Sequence, residues 1–189
     1  MRIILGIGNP GKRYARTRHN VGYMLLDYFA NKNSLIFKPS KSEFYFCESK
    51  IRDRDYILVK PTTYVNNSGI AASEVIETYG IDLSDLLVVC DDLNLEPFKI
   101  KIKISGGDGG HNGVNSIIYH LNSDNFARLR IGIGGDFNRG QMADYVLSEF
   151  YEDEYPSLEK TFETGSFLIE QFIAGGLKQL LDANSTLPK

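Results

Sequence analysis

Residues 1–22 read MRIILGIGNPGKRYARTRHNVG: an apolar run, the glycines Gly6 and Gly8, a turn through Asn9-Pro10-Gly11, four cations (Lys12, Arg13, Arg16, Arg18) and then His19. Ile3, Ile4, Leu5 and Ile7 predict a buried strand over residues 2–8 that ends at the glycines. Asn20 is a good N-cap, and a helix to about Lys32 then carries Val21, Met24, Leu25, Tyr28 and Phe29 on one face. Strand, glycine turn, basic segment and helix make the first unit of an alternating chain.

The alternation continues outward. Residues 44–51 and 56–60 read as two strands joined by a polar turn over 52–55, the second closed by Pro61. Ser68 is placed to cap a helix with Ile70, Ala71, Val75, Ile76 and Tyr79, stopped at Gly80. LLVVC at 86–90 is apolar on both faces, the mark of a central strand in a covered sheet. Residues 98–104 alternate Ile100, Ile102 and Ile104 with Lys99, Lys101 and Lys103, so one face is buried and the other wet and basic. A second glycine-rich loop, 106–113, leads into a short helix with Val114, Ile117, Ile118 and Leu121. RLRIGIG at 128–134 is a further strand, and from about Gln141 a short helix precedes a long one, interrupted at Gly175-Gly176. The pattern predicts a single α/β domain spanning residues 1–189, a mixed twisted β-sheet flanked by helices.

Composition fits that reading. Of 189 residues 42% are hydrophobic and 24% charged, enough to bury a core. No run reaches the roughly 18 apolar residues of a membrane span, and the N-terminal apolar run is too short for a secretory signal. The expectations are a cytoplasmic address, no membrane partner and a monomer. Cys47 and Cys90 are the only cysteines, read as two reduced buried thiols. With three histidines and no HExxH, the chain offers few ligands for zinc, and no metal is expected. Net charge is −3, but it is polarised: residues 1–20 hold five Lys/Arg and no acid, whereas residues 144–170 hold eight acids against Lys160. A basic face can therefore attract phosphates while the total stays acidic.

In open α/β sheets ligands bind outside the carboxyl ends of the strands. Asn9 follows the first strand, Asn66 lies in the loop after the strand at 56–60, Asp91 follows LLVVC, and His19 and Asn112 sit just before helices. Each has a plainer reading. Gly6-Ile-Gly8-Asn-Pro-Gly11 matches a dinucleotide fingerprint letter for letter, but Pro10 and eight loop-like residues follow it, and the required acid falls in a helical stretch. The asparagines are also common turn and cap residues, and Asp91 or Asp92 could cap the turn at 93–96. His111 and His120 read as structural. With no GxSxG elbow and no cysteine motif, the chemistry these residues suit is a water activated by His19, with Asp91 holding the imidazole tautomer and side-chain amides binding a carbonyl. An ester with a phosphate-bearing leaving group fits that equipment.

GIGNPGKRYARTRHNVG, KPTTYVNNSG, VVCDDLNL, GGDGGHNG and RLRIGIG, in this order and spacing, resemble the bacterial peptidyl-tRNA hydrolase family from residue 2 to about 150. The resemblance implies hydrolysis of the ester joining a peptide to the 3′ ribose of tRNA, without a cofactor. It puts His19 in the place of the general base, Asp91 in that of its partner, and Asn9 where N-blocked and free aminoacyl groups are told apart. It further implies that Asn66 and Asn112 are substrate-binding amides, that Tyr14 and Tyr64 meet the tRNA end, and that Lys103 and Arg130 contact phosphate. Val65 stands where the family often has Met, Cys90 where it often has His, and Asn94 where it has Asp. A non-catalytic RNA-binding protein on the same fold is the alternative, and a nucleotide-binding oxidoreductase a weaker one.

Overall fold

Leu86–Asp92 is the strand on which the sheet is built, because its apolar run needs cover on both faces. Leu86, Leu87, Val88 and Val89 are all fully buried in the computed structural model, which describes residues 1–135, 137, 138 and 140–187. The strands are β1 (Arg2–Gly6), β2 (Lys38–Pro39), β3 (Phe44–Ile51), β4 (Arg54–Pro61), β5 (Leu86–Asp92), β6 (Ile100–Lys103) and β7 (Ala127–Gly132). They form one sheet in the order β2-β3-β4-β1-β5-β7-β6. The inner pairs β4/β1, β1/β5 and β5/β7 are parallel, and the outer pairs are antiparallel.

Among the described residues there are five α-helices, α1 (Val21–Lys32), α2 (Ser68–Tyr79), α3 (Asn112–Leu121), α4 (Met142–Val146) and α5 (Tyr155–Thr186), of which all but α4 cover the sheet. Because strand side chains alternate, Ile4, Leu58, Leu87, Val89, Leu129 and Ile131 face α1 and α5, whereas Ile3, Ile57, Val59 and Val88 face α2 and α3. Truncating Leu87 or Val89 to alanine removes contacts on a covered face and costs about 2–5 kcal/mol. None of the helices among the described residues is long and apolar enough to cross a membrane.

The GxG of the first stretch has a packing reason. A Cβ on Gly22 would lie 2.5 Å from the Val89 carbonyl oxygen, and one on Gly6 would lie 2.8 Å from that of Gly22. The glycines let α1 cross β1 and β5 at backbone contact distance, and no dinucleotide is needed to explain them. Gly69 does the same between α2 and α3, where a Cβ would meet the Ser116 carbonyl oxygen at 2.1 Å.

Several boundaries differ from the sequence expectation. β1 ends at Gly6 and β7 at Gly132, whereas β5 runs on through Asp91 and Asp92, so Asp91 lies within its strand. The β3–β4 turn is only Arg52 and Asp53, both with positive φ, and Pro61 is the last residue of β4. Asn20 and Ser68 do not cap: Asn20 bonds Asn9, and Ser68 is the first residue of α2, its hydroxyl donating to the Val65 carbonyl. Asn112 opens α3 rather than preceding it. The interruption at 175–176 is real, with Gly176 at φ 70 inside α5.

Candidate active site

The parallel strands share one carboxyl rim, and the loops that leave it bring the polar residues together. Asn9 stands in the loop after β1. Its Oδ1 accepts the Val65 N–H at 3.0 Å, and its backbone is clamped on both sides by the Asn20 side chain at 2.9 Å. With Oδ1 turned to Val65, the amide NH₂ is the end of Asn9 left to meet a ligand. The same contact ties the 65–67 turn to the first loop, and Asn66 and Asn112 are exposed beside it.

His19 lies in the short 3₁₀ turn Arg18–Asn20 ahead of α1. Its Nδ1 sits 2.8 Å from Asp91 Oδ1. Asp91 is 3% exposed, so its charge depends on these partners. An ionised carboxylate can only accept, which makes His19 the Nδ1–H tautomer and leaves the Nε2 lone pair free.

Sequence reading placed His111 outside the site, and the structure corrects this. His111 Nε2 lies 2.9 Å from the same Asp91 Oδ1, and the two imidazole centroids are 5.1 Å apart. His111 is also the N-cap of α3, its Nδ1 accepting the Gly113 and Val114 N–H groups at 3.1 and 3.2 Å. The sequence signal was its position ahead of a helix, where a side-chain acceptor is wanted. Burial would raise the Asp91 carboxyl, but the two imidazoles outweigh it and hold the group far below the usual carboxylate range. For His111 burial disfavours the proton and Asp91 favours it, with a net upward direction. The cap opposes that pull, because both backbone donors occupy the lone pair the second proton would need.

His19 separates two cavities. One, of about 420 Å³, is bordered by Lys103, Arg128, Arg130, Asp92 and the glycine loop at 107–110. The other, of about 310 Å³, is bordered by Asn9, Tyr64, Val65 and Asn66. His19, Asn112, Ala143 and Val146 line both, so α4 roofs the junction. Cys90 also lines the larger cavity, and burial pushes its thiol up, which removes it as a nucleophile at neutral pH.

The basic groups sort differently from expectation. Arg18 is 3% exposed, paired with Glu154 at 2.7 Å and enclosed by the rings of Tyr145, Phe150 and Tyr151. It fastens the segment after α4 to the one before His19 and is not a free phosphate ligand. Arg130 borders the larger cavity, is mostly buried and donates to Asp92 at 2.6 Å. Lys103 donates to the Gly107 carbonyl at 2.7 Å, as does the buried Arg128 at 2.8 Å. Lys101 stands opposite Arg130, and Lys103 opposite Arg128, two like-charged pairs across β6 and β7. Such pairs cost stability. The Nε atoms of Arg128 and Arg130 have no partner among the described residues. Lys103, Arg128 and Arg130 line this cavity together with Asp91, Asp92 and Asp108, so its cations are gathered on the β6–β7 side and its acids lie on β5 and in the glycine loop.

Tyr14 and Tyr64 meet edge to face at 6.2 Å, with the Arg13 guanidinium 4.5 Å from the Tyr14 ring centroid. Asp92, not Asp91, accepts from the Asn94 N–H, so it alone organises the turn after β5. His120 donates within α3 to the Ser116 carbonyl.

Over residues 3–187 the chain matches the family model described as peptidyl-tRNA hydrolase. It is 40% identical over 187 residues to the peptidyl-tRNA hydrolase of Thermotoga sp. (strain RQ2), covering 98% of this chain and 97% of that one. It is 39% identical over 182 residues to that of Geobacillus thermodenitrificans, covering 96% and 98%. The crystal structure of the Acinetobacter baumannii peptidyl-tRNA hydrolase superimposes with a TM-score of 0.91 at 30% identity, covering 98% of this chain and 95% of that one.

Proposed function

Since the chain belongs to the peptidyl-tRNA hydrolase family, we propose that its two cavities hold the two halves of a peptidyl-tRNA and that His19 hydrolyses the ester between them. His19 Nε2 takes a proton from water, and the hydroxide formed attacks the ester carbonyl. The tetrahedral intermediate then collapses with cleavage of the bond to the 3′ oxygen, the His19 imidazolium returns its proton to that oxygen, and the peptide acid loses its own proton to solvent to leave as the carboxylate. Asp91 holds the ring in the Nδ1–H tautomer and stabilises the imidazolium that forms. The observation that carries this reading is the 2.8 Å bond between His19 and Asp91 at the junction of the two cavities.

The remaining residues follow from the cavity they border. The Asn112 amide, at the junction, is a donor for the developing oxyanion. Asn66 and the Asn9 amide face the peptide. Asn9, oriented by the bond from Val65 to its oxygen, turns its N–H groups to the substrate, where they suit a peptide carbonyl, and this favours an N-blocked substrate. Lys103 and Arg130 border the larger cavity and meet RNA phosphate. Tyr64 borders the amide-lined cavity and packs against Tyr14, and only the family resemblance, not the cavity, supports offering this pair to the terminal base.

No metal takes part in this reading. The ligand atoms of His19, Asp91 and His111 lie within 4.8 Å of one another, but His111 has no lone pair to give a cation while it caps α3 and carries a proton on Nε2. The enzyme acts as a cytoplasmic monomer without a cofactor.

The test is single-turnover release from N-acetyl-aminoacyl-tRNA by His19→Ala. Expected is a rate roughly 10²–10⁴ lower with an unchanged unfolding transition. Wild-type-like turnover removes His19 as the base.

A further inference from the structure

His19 is not alone on its carboxylate. Asp91 Oδ1 receives His19 at 2.8 Å and His111 at 2.9 Å, two imidazoles on one buried oxygen. The two rings are not equivalent. His19 keeps Nε2 for the cavities, while both nitrogens of His111 are taken, one by Asp91 and the other by two backbone N–H groups of α3.

We propose that His111 is a positioning residue, locked as the Nε2–H tautomer by its capping of α3, that divides the charge of Asp91 with His19 and so limits how tightly His19 holds the proton it takes from water. The proposal rests on the general-base reading of His19 and deepens it. A base must release its proton each turnover, and each donor that a buried carboxylate oxygen accepts lowers what that oxygen can give to another. His111, as a second donor on the same oxygen, weakens its hold on the His19 imidazolium. The cap adds a geometric consequence: the atom that fixes the start of α3, and hence Asn112, is in the ring that touches Asp91, so oxyanion donor and base share one reference point.

Other charges face this cluster. Asp92 of β5, Lys103 of β6, Asp108 of the glycine loop, and Arg128 and Arg130 of β7 line the larger cavity. α4 contributes Met142, Ala143 and Val146, and Arg18 beside His19 is turned toward Glu154. Asp92 is engaged by Arg130, and Asp108 by the Gly110 N–H and Asn115. His111 is thus the one further imidazole bonded to the carboxylate that serves the base.

Two substitutions separate the tautomer lock from plain capping. In His111→Asn the side-chain oxygen can take the place of Nδ1 at the cap, but nothing reaches Asp91. In His111→Gln the amide N–H can take the place of Nε2, but the cap is lost. The experiment is single-turnover hydrolysis of N-acetyl-aminoacyl-tRNA as a function of pH, with thermal unfolding of each variant alongside.

Expected for His111→Asn is a near-normal melt and an acid limb displaced to higher pH, so that at a pH on that limb the rate, relative to its own plateau, falls about threefold to tenfold. Expected for His111→Gln is a lowered melt with the acid limb close to wild type. If His111→Asn leaves the acid limb where it was, or if both variants lose only stability, His111 is a helix cap and the proposal is overturned. A wild-type rate with no acid limb overturns the general-base reading together with this one, and so tells the two failures apart.

Discussion

The two cavities that meet at His19 are built on opposite principles. The larger is walled by β6, β7 and the glycine loop, where Lys103, Arg128 and Arg130 are crowded on one face at a cost to the sheet. The smaller is walled by the loops after β1 and β4, where uncharged amides and Tyr64 replace charge. A charged wall recognises a polyanion through Coulomb attraction and loses affinity as salt rises. An amide wall recognises a peptide by hydrogen-bond geometry and is nearly indifferent to salt. In the proposed reading each half of a peptidyl-tRNA has its own cavity, and the His19 imidazole stands between them.

The largest expected break in this picture comes from its centre. Asp91→Asn keeps the shape of the site but no longer favours the Nδ1–H tautomer or the imidazolium, and should slow single-turnover hydrolysis on the order of 10²-fold. An unaffected rate would reduce Asp91 to a structural acid. On the amide side, Asn112→Ala should lower kcat/KM about tenfold or more by removing a donor at the junction, with the salt dependence unchanged. On the charged side, Lys103→Ala should raise KM a few-fold and reduce the slope of log KM against log salt by about 0.7–0.9, leaving the maximal rate in place, and Arg130→Ala should act in the same direction but less, because Arg130 is paired with Asp92. A changed maximal rate with an unchanged slope would move these residues off the RNA backbone. Arg18→Ala should have little effect on the slope, because Arg18 is committed to Glu154. Removing it leaves Glu154 without its cation and empties the space between the Tyr145, Phe150 and Tyr151 rings, and should cost about 3 kcal/mol, roughly 6–12 °C in Tm.

The smallest effect concerns acid stability. The Asp91 carboxyl is held below its ordinary value of 3.8 in the folded state. Its contribution is therefore present above that value and lost as pH falls below it. Urea unfolding from about pH 5 down to about pH 3 should show a steeper loss for wild type than for Asp91→Asn. Equal losses would mean that Asp91 gains nothing from its two histidines.

Much of this was readable before any coordinates. Period-2 and period-3.6 patterns depend on near neighbours, so β1, β3, β5, α1 and the break at 175–176 were legible, and with them the rim where Asn9, Asn66 and Asp91 emerge. What escaped depends on contacts distant in sequence. His111 looks like an ordinary helix cap until the start of α3 comes to rest against β5. Arg18 looks like a free cation until the segment after α4 folds over it. Asn20 and Ser68 have the right side chains for N-caps, but Asn9 and Val65 offer them better-placed partners. The GxG motif fitted two explanations in sequence, and only the approach of α1 to β5 decides for packing.

The division of labour at His19 is tested most directly by offering the enzyme the same tRNA with its aminoacyl group N-acetylated or free, and measuring release of the esterified group. Hydrolysis of the acetylated form alone is expected, with discrimination weakened in Asn9→Ala. Equal cleavage of both forms, or of neither, would contradict the assignment of the amide-lined cavity to the peptide.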